Sequence, residues 1–418
     1  MFSATSPAGH AIKVPGRRET VVLLAGLMAL NAFAIDAMIP ALPAIGAELG
    51  VADDNRRQLI VVAYMLGFGV GQAFWGPLAD RFGRKPILAI GVALYSGFAL
   101  LCGLASSFEL LIAGRVAMGA SAAVTRVLVV AMVRDLFEGE AMAKVMSLVF
   151  MTFMLVPVLA PNIGQAILLV GPWRAIFWLL AGYGVVMWLW SFARLPETLH
   201  PEFRRALNLR DIAAAARIAA VDRLSLGYTL AMTAIFGGLT AYIASIQQIV
   251  FDTYAAPQLI GLVFAGVAAP MALASWANSR VVGKYGLRRV GHGGLIGFVA
   301  ITMLHAVVAH IVAEPLWLFA ALMGMTMMAF AFTTSNFATL AMTNMAAIAG
   351  TASSVQGVSG TIGGALIGLV IGQAFDGTQR PFLIGFAACG MVGLVMVLIT
   401  ERGRLFGGID AAPEPDTA

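Results

Sequence analysis

The feature that most limits what this chain can become is a series of long apolar runs. They fall near positions 20–44, 58–79, 86–105, 108–133, 143–170, 174–193, 225–250, 258–279, 293–313, 315–341, 348–374 and 380–400. A helix needs about 20 mostly apolar residues to cross the hydrocarbon core of a bilayer. A transmembrane barrel would instead show short segments of alternating polarity. Continuous runs rich in Gly, Ala, Leu and Met read as helices, so the sequence predicts an all-α integral membrane protein with twelve transmembrane helices. Charged residues make up only 11% of the chain and hydrophobic ones 60%, whereas a soluble domain carries about a quarter charged residues. The first run is too long for a signal-peptide core and is read as retained. Cys102 and Cys389 fall inside spans in opposite halves, and no disulfide is expected.

Basic residues orient the spans, because loops on the cytoplasmic side of a membrane are enriched in Lys and Arg. With both termini cytoplasmic, 20 of the 26 Lys and Arg lie inside, four lie outside (Arg56, Arg57, Arg174 and Arg380), and Arg115 and Arg126 lie within the fourth span. The net charge of +5 is then a topology signal, and no nucleic-acid partner is implied. The expected location is a bacterial inner membrane, the expected partners are the lipid bilayer, a small-molecule substrate and protons, and the expected state is a monomer.

The longest hydrophilic interruption, residues 195–223, divides the chain into two sets of six spans. The expected organisation is a cytoplasmic segment 1–18, a first bundle 19–194, a central loop 195–223, a second bundle 224–404 and a disordered tail 405–418. Within the loop, LNLRDIAAAARIAAV has the makings of a short amphipathic surface helix. The halves look weakly related: GPLADRFGRKP (76–86) and VVGKYGLRRVG (281–291) occupy corresponding loops, and LAPNIGQAI (159–167) and VSGTIGGAL (358–366) corresponding spans. In transporters built from such repeats, the substrate site lies at the repeat interface near the bilayer midplane.

Ionisable residues inside a membrane are costly and mark function. Asp36 lies ~22 Å into the first span, and Arg115 ~10 Å from the opposite face on the fourth, so in a core ~30 Å thick they share nearly the same depth. They are expected to be partners. Low dielectric favours the neutral acid, and a nearby guanidinium favours the carboxylate. A conformational change that alters their separation would let Asp36 take up a proton in one state and release it in another, which is the requirement for coupling to a proton gradient. Arg126 is placed ~3 Å from the inner face, where its side chain can snorkel. Candidates for the polar part of a cavity are Asn31, Gln72, Asn162, Gln165, Gln247, Gln248, Asn336 and Gln356. His305 and His310 on the ninth span are read as packing rather than a proton relay.

GPLADRFGRK (76–85) is the most specific stretch. It fits, position for position, the loop between the second and third helices that marks the major facilitator superfamily. DAMIPALPAIGAELGV (36–51), GRVAMGASAAVTRVLVVAMVRDLF (114–137), LAPNIGQ (159–165) and AGTASSVQG (349–357) resemble the bicyclomycin/chloramphenicol-resistance (Bcr/CflA) branch of proton-driven drug exporters. The resemblance covers all twelve spans and is strongest in the first six. It implies the superfamily fold of two pseudo-symmetric six-helix bundles. Asp36 would be the first-helix acid and Arg115 the fourth-helix arginine of drug–proton antiporters. Gly76, Asp80, Arg81, Gly83, Arg84 and Lys85 would form a conformational gate loop, with Arg84 meeting Asp135 at the end of the fourth helix. Pro157, Pro161 and Gly164 would belong to the antiporter motif of the fifth helix, where Gln165 departs from the expected small residue. No acid matches Asp80 in the second half; Gly283 stands there.

The expected function is export of small amphipathic or apolar compounds in exchange for protons, by alternating access. The alternative is an exporter or symporter of a small polar metabolite. No P-loop, HExxH motif or metal-binding cluster is present, so neither an enzyme nor an ATP-driven pump is expected, and no cofactor beyond the coupling proton. No selectivity-filter repeat suggests a channel.

Overall fold

The computed structural model describes residues 2–5, 11–204 and 209–407. Among these, twelve helices of 20 residues or more follow one another. The first half comprises α1 (Arg17–Asp36), α2 (Leu59–Phe82), α3 (Arg84–Gly103), α4 (Phe108–Leu136), α5 (Gly139–Val170) and α6 (Arg174–Arg194). The second comprises α7 (Arg223–Gln248), α8 (Ile260–Tyr285), α9 (Leu287–Ile311), α10 (Leu316–Leu340), α11 (Ala349–Gln373) and α12 (Arg380–Thr400). Eleven of them are long and apolar enough to cross a membrane; the other, α5, has 32 residues, and part of its side chains lie outside the described ones. The molecule is thus a multi-pass membrane protein. The end of the molecule where α1 starts and α12 stops is called the terminal end, and the opposite one the far end.

Each half has its own apolar core, one built mainly from residues 23–195 and the other from residues 228–397. The central segment contains the helix Leu209–Val221, whose Ala219 packs with Met345 and Ala352 at the terminal end of the second half. Besides the helices, a short antiparallel hairpin pairs Phe2–Thr5 with Ala11–Val14, so the segment before α1 carries the described β-structure. Residues 408–418 of the expected tail lie outside the described residues.

The first span departs from the continuous helix expected over 20–44. α1 stops at Asp36, a 3-10 turn follows over Ile39–Ala41, and a short helix resumes over Leu42–Glu48. Two prolines explain the break. Pro40 has no N–H to give the Asp36 carbonyl, and Pro43 none for Ile39, so the i to i−4 ladder fails twice in succession. Asp36 therefore stands at the C-terminal end of a helix, inside the membrane. Ile39, just past it, is fully buried in the core of the second half. The break thus reaches from one bundle into the other.

α5 packs directly on this break. A Cβ added to Gly164 would stand 2.9 Å from the Ala37 carbonyl carbon and closer still to its oxygen. Only glycine allows the two backbones to meet so closely.

Candidate functional site

Asp36 is 4% exposed and Arg115 fully buried. They do not form the expected ion pair: among the described residues no cation lies within 4.0 Å of the Asp36 carboxyl. The reason is the break in α1. Where a helix ends, its last carbonyls lack N–H partners, and Arg115 takes that place. Its Nη1 donates to the Ala34 carbonyl at 3.0 Å and its Nε to the Ile60 carbonyl at 2.9 Å. A guanidinium at the negative end of a helix is also favoured by the helix dipole. Arg115 is thus the cap of α1, two residues from Asp36 rather than bonded to it. Its guanidinium carbon lies 4.4 Å from the centre of the Tyr64 ring, a cation–π arrangement, and its Nη2 has no partner.

Tyr64 donates its hydroxyl proton to Asn31 Oδ1 at 2.9 Å, which fixes the ring beneath Arg115. Tyr242 is the 20th residue of α7, as Asp36 is of α1, so the two hold pseudo-equivalent positions in their halves. The Tyr242 hydroxyl and the nearby Ser245 Oγ are buried without a hydrogen-bond partner. Neither tyrosine was a sequence candidate, because nothing in a lone span marks the face an aromatic residue will take.

Beyond Asp36, a belt of neutral amides joins the halves at the far end. Gln58 donates to Gln248 and to the Gly372 carbonyl. Gln248 donates to Asn55 Oδ1 at 2.8 Å, and Asn55 donates to the carbonyls of Gln373 and Phe375. Gln165 donates to the Pro257 carbonyl at 2.8 Å. Asn162 donates to Val158 on its own helix and lies against Gly261 of α8. Asn162, Gln165 and Gln248 are therefore contacts between the halves rather than walls of a cavity. Gln165 replaces the expected small residue because a carbonyl of the other half lies within its reach. Gln72, halfway along α2, donates to Thr361 Oγ1 at 3.0 Å. Nearer the terminal end, no described hydrogen bond or ion pair crosses between the bundles. Among the described residues, the molecule is thus latched at the far end and unlatched at the other.

The remaining polar candidates are scattered. Asn336 donates to Asn278 Oδ1 inside the second half, at 2.8 Å. Gln247 is buried with neither amide atom bonded, and Gln356 Nε2 is likewise without a partner. His305 Nε2 lies 2.8 Å from Glu314 Oε1, both side chains being buried, beside a cavity of about 340 Å³ lined by Tyr254, Glu314, Gln379 and Arg380. Hydropathy alone assigns Glu314 to a loop and so misses it. His310 Nδ1 stands 2.7 Å from the Ala306 carbonyl of its own helix.

The loop between α2 and α3 gathers as the motif implies. Gly83 has φ +104°, a conformation open to glycine. The buried Arg84 places Nη1 2.6 Å from Asp80 Oδ1 and Nε 3.4 Å from Asp135 Oδ2. Thr198 also donates to Asp135. Glu197, which the sequence reading passed over, folds back after α6 and accepts from the Arg84 and Lys85 backbone N–H groups at 2.8 and 3.3 Å, capping α3. Gly76 sits near Val127 of α4, while Arg81 and Lys85 lie over the rings of Phe82 and Phe192. In the second half Gly286 has φ +81°, and Arg288 finds its acid in Glu401 at 2.9 Å, supplied from the end of α12 instead of from the loop. On α5, Gly164 lies against the first-helix break described above and Pro161 is buried; the side chain of Pro157 is outside the described ones.

Residues 24–368 match the family described as the Major Facilitator Superfamily. The chain belongs to that superfamily. It is 30% identical, over 91% of its own length and 96% of the other, to a bicyclomycin resistance protein homolog of Haemophilus influenzae. It is also 30% identical to an uncharacterized MFS-type transporter, YdgK, of Bacillus subtilis, over 85% of this chain and 89% of that one. The multidrug resistance protein MdtL of Escherichia coli matches at 35% over 172 residues, 44% of its length. Among solved structures, a D-xylose–proton symporter superposes with TM-score 0.71 at 14% identity, covering 92% of this chain and 98% of that one. The human organic anion transporter MFSD10 superposes at 0.67 and 18% identity, with 92% and 100% covered. At those identities the two superpositions speak to the superfamily fold alone.

Proposed function

We propose that the chain exports small amphipathic or apolar compounds of the drug class from a bacterial cytoplasm in exchange for protons. The names of its bacterial relatives support the drug class, and the Lys and Arg distribution supports a terminal end that faces the cytoplasm. The form described is then inward-facing. The observation that carries the proton role is Asp36: a buried carboxyl without a counter-ion, on a broken helix that bridges the halves beneath a closed far end.

An ionised Asp36 in this surrounding is a charge without compensation, and burying one costs several kcal/mol. Release of its proton toward the unlatched end therefore favours a state in which Arg115 swings from the α1 carbonyls to the carboxylate, or in which substrate and water reach the site. Protonation from the opposite side, after the amide belt opens, restores the neutral acid. Arg115 holds its charge throughout, because guanidinium does not deprotonate. A potential of 100 mV contributes ~2.3 kcal/mol per proton entering, enough for a substrate gradient of tens-fold. The test is uphill accumulation of labelled chloramphenicol, a sulfonamide and bicyclomycin in inverted vesicles with an acid lumen. Accumulation that collapses with the gradient and in Asp36→Asn is expected. Accumulation that survives in Asp36→Asn would refute the assignment, and accumulation of polar metabolites alone would replace the drug class.

A further inference from the structure

Arg126 is the second arginine of the fourth span. α4 continues to Leu136, so Arg126 is ten residues from the helix end, about 15 Å along the axis. It lies 11 residues after Arg115, three turns, so both arginines project from one face of α4, roughly 16 Å apart. Arg115 is sealed against α1. Arg126 shares the face of α4 that Arg115 turns toward α1, and its side chain is exposed, the combination expected of a residue on the wall of a water-accessible cleft between helices. Among the described residues no carboxylate, carbonyl or ring engages its guanidinium. Most other arginines described on the spans are engaged: Arg84 by two carboxylates, Arg115 by two carbonyls, Arg174 and Arg194 by glutamates, Arg288 by Glu401.

We propose that Arg126 is the recognition site for an anionic group on the transported compound, so that amphipathic organic monoanions, such as aromatic carboxylates, are preferred substrates. The proposal rests on the export reading above and specifies its substrate class. A cation held inside a membrane protein without a partner is costly, and a guanidinium presents a planar fork matched to a carboxylate or sulfonate. Arg126 lies nearer the terminal end than Arg115, which caps the helix end at Asp36, so a compound entering from that end would meet Arg126 first. With Asp36 ionised, Asp36, Arg115 and Arg126 together carry +1, which a monoanion cancels. Exchanging a monoanion outward for a proton inward moves two charges in the same electrical sense, so export is also driven by an inside-negative potential.

The matched probes are naphthalene-1-acetate and its neutral amide, naphthalene-1-acetamide. Binding of both is measured by calorimetry on the full chain in phosphatidylcholine nanodiscs, which exclude anionic lipid from the cleft. The native protein is expected to bind the carboxylate about tenfold more tightly than the amide, a difference of about 1.4 kcal/mol. Arg126→Gln should erase the difference, and Arg126→Lys, which keeps the charge, should retain most of it. Equal binding of the two probes by the native protein, or an undiminished preference in Arg126→Gln, would overturn the proposal. Native vesicles are assayed in parallel for chloramphenicol-driven proton movement. Proton movement without a carboxylate preference rejects the Arg126 site and leaves export standing. A carboxylate preference with no proton movement, on addition of either chloramphenicol or naphthalene-1-acetate, rejects proton-coupled export and leaves the anion site standing.

Discussion

Replacing Gly164 by alanine tests whether α5 is held against the break in α1. The new Cβ would lie 2.9 Å from the Ala37 carbonyl carbon, whereas ordinary contact begins at 3.4 Å. The difference of 3.4 less 2.9, 0.5 Å, is a lower bound on the required displacement, since the carbonyl oxygen is nearer still. Both neighbours are backbone, so no side chain can swing aside. Overpacking of this kind costs about 1–3 kcal/mol. The better helix propensity of alanine returns up to about 1 kcal/mol. A net loss near 1–2 kcal/mol follows, read as a lowered unfolding midpoint in a fixed detergent. Because the displaced segment carries Asp36, drug-driven proton movement in vesicles should fall as well. Gly182→Ala is the control: nothing lies within 4 Å of its added Cβ, so stability should hold or rise. A Gly164→Ala protein with the native midpoint and native proton exchange would refute the close approach and its link to the proton site.

Three further outcomes are expected. Arg84→Ala removes the buried cation shared by Asp80 and Asp135, so turnover should drop while substrate affinity, measured by equilibrium binding, stays within about twofold; a large affinity loss at normal turnover would contradict a gating role. Glu197→Gln keeps the shape of the α3 cap but removes its charge, worth roughly 0.3–1 kcal/mol at a helix N-terminus, and should slightly lower the melting temperature. Gln58→Ala breaks the belt at both Gln248 and Gly372, and a cysteine placed at Ser245 should then label faster from the outer side; unchanged labelling would show that the belt does not hold the far end shut.

Hydropathy made the twelve helices and the division into halves legible, because a membrane leaves the backbone few choices. The loop motif was legible too, since Gly83, Asp80, Arg84 and Asp135 meet as their pattern implies. The prolines at 40 and 43 were visible, yet a window that sums hydropathy reads straight through them, and the break at Asp36 was missed. That omission also produced the mistaken ion pair: depth places Asp36 and Arg115 side by side, but a broken helix offers Arg115 a carbonyl to cap. Polar residues such as Gln165 and Gln248 were identified as buried but not by direction, because helical facing depends on which neighbour lies across the gap. Glu197, Glu314 and Glu401 act across distant parts of the chain, where no local spacing could reveal them.

The most direct measurement of the central claim follows protons rather than drug. Inverted vesicles carrying a lumenal pH dye and an acid interior receive an amphenicol, a sulfonamide or bicyclomycin, with native protein compared to Asp36→Asn. If Asp36 is the proton site, the lumen turns alkaline on addition of substrate in native vesicles and stays unchanged in the variant. Alkalinisation of equal size in both would show that the exchanged proton travels by another group.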